Sequence, residues 1–94
     1  MYWVEILLRL KMRVKAFVLI NTQIGSEEEV LKDLKSLEEV EEAYIVYGVY
    51  DIVAKVIAED INKLRDIVTM KIRKMKKIMS TTTMVVIEEK RKQD

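Results

Sequence analysis

Cysteine, histidine and proline are absent from this 94-residue sequence, and glycine occurs only twice, as Gly25 and Gly48. No disulfide, thiol nucleophile or Cys/His zinc site can be built, and imidazole acid–base chemistry is excluded with them. Two glycines and no proline leave neither a flexible linker nor a Gly-rich loop to cradle a phosphate. A dominant charge is missing too: 17 Lys+Arg against 16 Asp+Glu give a formal net charge of +1, far from the electrostatic footprint of a nucleic-acid-binding domain. No apolar run reaches the ~18 residues that span a bilayer, and Met1-Tyr2-Trp3-Val4 offers neither a basic leader region nor a cleavage site, so a cytoplasmic location without membrane attachment is expected. What is present is 50% hydrophobic and 35% charged residues, the balance of one compact domain under a heavily solvated surface. A chain this short buries only roughly two-thirds of its unfolded surface, which favours self-association. Abundant Glu and Lys without cysteine is also a pattern of thermophile proteins.

Charge is segregated although its sum is small. Residues 27–42 hold eight acids against Lys32 and Lys35, and residues 63–77 hold seven bases against Asp66. Solvated helix faces of opposite sign and complementary packing between subunits both fit this dipole. The apolar, branched segment Val14-Lys15-Ala16-Phe17-Val18-Leu19-Ile20, bounded by Asn21-Thr22, predicts a buried strand. Ser26 with Glu29 three residues later predicts a capping box, the serine oxygen accepting from the Glu29 amide and the carboxylate reaching back to the Ser26 amide. Glu27 and Glu28 suit the positive end of the same helix, whose Val30, Leu31, Leu34 and Leu37 form one apolar face to about residue 37.

Strands are predicted over Ala43–Tyr47 and Tyr50–Ala58, with Gly48-Val49 as a tight connection. Asp60 is placed to cap a second helix carrying Ile61, Leu64, Ile67, Val68 and Met75, and Thr81–Ile87 supplies a fourth strand. Strand, helix, strand, strand, helix, strand is the ferredoxin-like α+β plan, a four-stranded antiparallel βαββαβ sheet with two helices on one face. Both strand faces are apolar: Phe17 and Leu19 oppose Ala16, Val18 and Ile20, and Val53 and Ile57 oppose Ile52, Ala54 and Val56. Helices cover one face only, so the open face is expected to pack on a second copy as a sheet-to-sheet dimer. The expected organisation is an N-terminal extension over 1–12, a folded domain over 13–88 and a charged tail over 89–94. The extension fits both an extra element covering apolar surface and a physiological start at Met12.

The densest cluster of functional side chains is Tyr47-Gly48-Val49-Tyr50-Asp51 together with Ser80-Thr81-Thr82-Thr83. Aspartate can accept from an ammonium group, threonine hydroxyls and loop amides can hold a carboxylate, and tyrosine rings exclude water, so the set suits a small zwitterion. A turn glycine, a locally paired aspartate and β-branched strand residues account for the same letters structurally.

Three segments give this cluster a family. Val40-Glu41-Glu42-Ala43-Tyr44, the Gly-x-Tyr-Asp turn Gly48-Val49-Tyr50-Asp51, and the hydrophobic-x-x-Thr-x-Thr opening Ile78-Met79-Ser80-Thr81-Thr82-Thr83 occur in order, and from Phe17 to Ile87 the chain resembles the effector (RAM) domain of the Lrp/AsnC transcription regulators. The resemblance implies a homodimer formed through the sheets, assembled further into tetramers or octamers, with an amino-acid effector bound between dimers. By position it implies Gly48, Tyr50, Asp51, Thr81 and Thr83 as ligand-binding residues. Two departures stand out. Only about a dozen residues precede the first strand, where a full-length regulator carries a helix-turn-helix domain, and Lys77 replaces a glycine usual before the threonine opening. The resemblance is therefore to a stand-alone module that associates with full-length Lrp/AsnC regulators without specific DNA binding of its own; the basic second helix and Lys90-Arg91-Lys92 read as solvated faces. No cofactor or metal is implied.

Other classes have less behind them. A small ferredoxin-like dimeric enzyme would have only Asp51, Tyr47, Tyr50 and scattered carboxylates for acid–base work, none paired in a recognisable motif. RNA binding through Tyr44, Tyr47 and Tyr50 lacks the basic signature of an RNA-recognition motif. The acids of residues 38–42 lack EF-hand spacing.

Overall fold

The computed structural model describes residues 3–4 and 13–90. In chain order the elements are β1 (Val14–Thr22), α1 (Glu27–Lys35), β2 (Val40–Ile45), β3 (Ile52–Ala58), α2 (Ile61–Asp66, continuing as a wider π-helical turn over Ile67–Ile72) and β4 (Ile78–Val85). The strands form one antiparallel sheet in the order β2-β3-β1-β4, the ferredoxin-like α+β arrangement read from the sequence. Helix α1 lies over β2, and α2 lies over β3 and β1. Most of the expected extension, residues 1–2 and 5–12, lies outside the described residues, as do residues 91–94 of the expected tail. Among the described residues no helix is long and apolar enough to cross a membrane.

Alternation builds the core. Ala16, Val18 and Ile20 of β1, together with Ile52, Ala54, Val56 and Ala58 of β3, are buried, while their neighbours in sequence are only half-buried. Val30 and Leu34 of α1 and Leu64, Ile67, Val68 and Ile72 of α2 close over that face. A fully buried Leu or Ile side chain contributes roughly 1.5–3 kcal/mol, and Ile20, Leu34, Ile52 and Ile72 are all fully buried.

The open face is more mixed than the contiguous apolar patch that alternation alone suggests. Register places Phe17 beside Lys55 and Met84, and Leu19 beside Val53 and Thr82. Ion pairs flank this strip: Lys15 grips both carboxylate oxygens of Glu89 (3.0 and 2.9 Å), and Lys55 reaches Glu41 (3.0 Å) and Glu42 (3.7 Å). The hydrogen bond from Lys55 to Glu41 holds the ammonium above its ordinary pKa, and Glu42 pushes the Tyr44 phenol up.

Several local expectations are corrected. Ser26 precedes α1 but forms no capping box: its amide is spent on the Gln23 carbonyl (3.0 Å), and its backbone (φ −106°, ψ 9°) lacks the extended geometry that aims a cap oxygen into the first turn. The second strand ends at Ile45 and the third begins at Ile52, so residues 46–51, not Gly48-Val49 alone, connect them. The fourth strand spans Ile78–Val85, and α1 ends at Lys35. Asp60 does cap α2, its Oδ1 accepting from the Lys63 amide at 2.8 Å, but Ile61 in the first turn is exposed. Beyond Asp66 the helix widens, with the Arg73 amide bonding the Val68 carbonyl five residues back (2.8 Å), which leaves Ile67, Val68 and Ile72 all inward.

Candidate functional site

The β2–β3 connection closes where the Val46 amide donates to the Asp51 carbonyl (2.9 Å), and it is tied to the central strand where the Asp51 amide donates to the Ile20 carbonyl (2.9 Å). Asp51 then reaches back: its Oδ2 accepts from the Thr22 amide at 2.8 Å and lies 3.5 Å from the Thr22 hydroxyl. Thr22 is buried, so this carboxylate satisfies a donor that the end of the β1 ladder leaves over. Asp51 Oδ1 takes no hydrogen bond among the described residues.

Tyr50 sits beside this knot. Its hydroxyl donates to Thr82 Oγ1 at 3.4 Å, across the strand that separates β3 from β4. Asn21 Nδ2 donates to Ser80 Oγ (3.3 Å), and the Gln23 amide donates to the Lys77 carbonyl (2.8 Å), pinning the entry of β4 to the β1–α1 turn. That turn contains Gly25 at φ 82°, a left-handed backbone that glycine adopts without a Cβ clash. Lys77, the departure from the family's glycine, thus serves the knot through its carbonyl.

Of the sequence-derived site residues, the structure brings Tyr50 and Asp51 together at this end of the sheet, with Gly48 at the exposed tip of the connection. Thr81 and Thr83 are divided from them. In register Thr81 pairs with Ile20 and Thr83 with Val18, both buried on the helix side, so alternation puts both threonines on that face. Thr82, between them, is the one that meets Tyr50. Thr82 stood in the Ser80–Thr83 cluster but not among the residues expected to bind ligand, and Thr22 was missed altogether. A polar residue continuing the inward register of Ala16, Val18 and Ile20 was the signal for Thr22; nothing in the letters distinguished Thr82 from its neighbours.

The end of the sheet that holds Asp51 is apolar and open: Ile24, Tyr47 and Val49 are among its most exposed residues. A concavity of about 640 Å³ lies at the opposite end between β3 and α2, where Glu39, Ala58, Lys63, Ile67 and Lys71 line it. There the Lys71 ammonium, bonded to Glu39, holds that carboxyl below the usual carboxylate value. Among the described residues no three acids gather as a metal-ion site.

Comparison with known proteins agrees with this geometry. The family model of the Lrp/AsnC ligand binding domain matches residues 15–94. The crystal structure of FFRP-DM1 is 46% identical with a TM-score of 0.77, covering 79% of this chain and 99% of that one. A hypothetical protein, PHS023 of Pyrococcus horikoshii, is 46% identical with a TM-score of 0.76, covering 81% of this chain and 92% of its own. AsnC of E. coli is 31% identical with a TM-score of 0.83; the match covers 90% of this chain but 58% of AsnC. No curated protein matches the sequence. A ferredoxin-like sheet carrying the Gly-x-Tyr-Asp turn, matched over nearly its whole length, makes this chain a member of the Lrp/AsnC ligand-binding-domain family.

Proposed function

We propose that this chain is a regulatory module that binds a small amino acid at the Asp51 end of its sheet and changes its assembly when it does. The observation that carries this reading is the knot itself: Asp51 is fixed by Thr22 through one carboxylate oxygen while the other remains available for an ammonium group. Tyr50, held to Thr82, forms a wall, and the exposed amides about Gly48 offer donors for a carboxylate. Thr81 and Thr83, in register with Ile20 and Val18 on the helix side of β4, stand apart from this wall, and Thr82 is the threonine that meets it.

Among the described residues this end lies open, with Ile24, Tyr47 and Val49 exposed, and ligand sites bury most of a small ligand. A second copy supplies the missing wall, which fits a sheet-packed homodimer joined into tetramers or octamers with the effector between dimers. Since a ligand shifts assembly only through its differential affinity for the two states, binding is read directly as a change of mass. The module acts without catalysis, in the cytoplasm, through full-length Lrp/AsnC regulators and without specific DNA binding of its own. Light scattering on a sizing column with each of the twenty amino acids tests this. One amino acid that converts a dimer into a larger species supports the reading, and an assembly indifferent to all twenty overturns it.

A further inference from the structure

One face of α2 turns toward the entry of β2 and bounds the concavity of about 640 Å³ at the end of the sheet away from Asp51. Lys63, Asp66, Ile67, Met70 and Lys71 recur at helical spacing along that face. The other wall is the turn into β2, fixed by the Val40 amide donating to the Leu37 carbonyl (3.1 Å) and the Ile57 amide donating to the Glu39 carbonyl (3.0 Å). Among the described residues, five acids and three bases line the space. Most of these charges are matched: Lys71 bonds Glu39, Lys63 lies 3.8 Å from Glu59, and Glu41 is taken by Lys55 from outside the concavity. Glu38 and Asp66, against Arg13, join no ion pair among the described residues. The Glu39 carboxylate is itself half-used. Lys71 holds its Oε2, while Oε1 is shielded from solvent and takes no well-formed hydrogen bond, although the amide of Glu39 itself helps to keep the acid ionised. A buried acceptor without a donor is unfavourable, and the terminal torsion of a glutamate is soft, so a small turn of the carboxylate presents this oxygen to the concavity.

We propose that this concavity binds a small aliphatic amine with two or more ammonium groups, one head meeting Glu38 and Glu39 on the β2 side and another meeting Asp66 on α2. Charge selects the sign of the ligand, because the surplus of the lining is acidic and a bond from an ammonium to a carboxylate is roughly twice as strong as a neutral one. Shape selects its size. Concavities of roughly 300–1,000 Å³ hold small organic molecules, and among the described residues no three acids gather to hold a bare metal ion. The floor selects a hydrocarbon stem: Ala58 and Ile67 are buried, and Met70 leaves a flexible apolar side chain exposed at the rim. A free α-amino acid fits less well, since its carboxylate would meet Arg13 as the one uncommitted cation of the described lining, with Glu38 and Asp66 against it. No lining residue belongs to the Asp51 site, so the inference stands apart from the effector reading.

The test is calorimetric titration of the whole chain at about 50 mM NaCl, where screening is modest, with putrescine and spermidine as probes and n-butylamine as the singly charged control. The expected result is one saturable site per chain that binds putrescine about ten-fold or more tightly than n-butylamine. Glu39→Gln and Asp66→Asn should each raise the putrescine dissociation constant about ten-fold, the loss of one charged hydrogen bond. Glu28→Gln/Glu29→Gln, which removes more charge from α1 but none from the concavity, should change it less than about two-fold. Melting curves check that each variant folds, and Asp66→Asn, at an exposed residue, keeps the test decisive if Glu39→Gln does not. Absence of saturable heat overturns the proposal, as does equal affinity for putrescine and n-butylamine. Equal weakening by the α1 variant, or displacement by magnesium at the same charge concentration, assigns the effect to diffuse counter-ion attraction and overturns it as well. So does putrescine binding that Asp51→Asn abolishes, which would move the ligand to the other end of the sheet.

Discussion

The Asp51 carboxylate lies 2.8 Å from the Thr22 amide, so the residue best suited to meet an ammonium group is also a structural clasp between the β2–β3 connection and the end of β1. Asp51→Ala should therefore lose both roles: effector-dependent assembly disappears, and stability falls by about 1–3 kcal/mol because a donor at a buried residue loses its partner. Asp51→Asn separates the two. Its amide oxygen still accepts from Thr22, so urea unfolding should stay near wild type, while calorimetric amino-acid binding is lost with the charge.

Tyr50→Phe is the complementary case. The hydroxyl bond to Thr82 is long at 3.4 Å and exposed, so its removal should cost less than about 1 kcal/mol in unfolding. A larger change in effector affinity than in stability is expected, and a melting curve beside a binding titration measures both.

The helix starts make opposite predictions from similar letters. Asp60 accepts from the Lys63 amide, so Asp60→Ala should lower stability by about 1 kcal/mol, with Asp60→Ser restoring most of it. Ser26 makes no cap bond, and Ser26→Ala should shift the unfolding midpoint hardly at all. Denaturant titration of the three variants decides.

Glu39 gives a pH dependence. Its carboxyl is held below the ordinary value, first by the hydrogen bond from Lys71, so the folded state favours the ionised form. The stability this contributes is present above the unfolded carboxylate pKa of about 4.3 and is lost as pH falls through the lower folded value. Lys71→Met should flatten that acid limb and cost about 0.5 kcal/mol at neutral pH, the scale of a partly exposed pair. Urea midpoints of the two proteins between neutral pH and pH 3 check it.

Patterns of period two and the spacing of apolar residues made β1, β3 and both helices legible, because Ala16, Val18, Ile20, Leu34 and Leu64 each answer to a single requirement, burial. What escaped the letters depends on competition between partners. Ser26 looks like a cap until its amide is claimed by Gln23, and Ile61 has the right spacing but stands in the exposed first turn of α2. At the site, Tyr50, Asp51 and the turn at Gly48 are local and were visible. The Thr22 and Thr82 contacts need the pairing register of three strands, which no short motif encodes.

The five-residue step from Arg73 back to Val68 has a consequence for how this family member can change. A residue adds about 100° to an α-helix, so deleting one between Ile67 and Ile72 and letting the ladder close would rotate everything downstream by that angle. Ile72 would leave the core, and the Lys77 carbonyl would swing away from the Gln23 amide that anchors the next strand. The slack turn is thus an angular spacer. Sequence drift along α2 can exchange its side chains freely on the outer surface, but its length is locked by the phase at which the chain must re-enter the sheet.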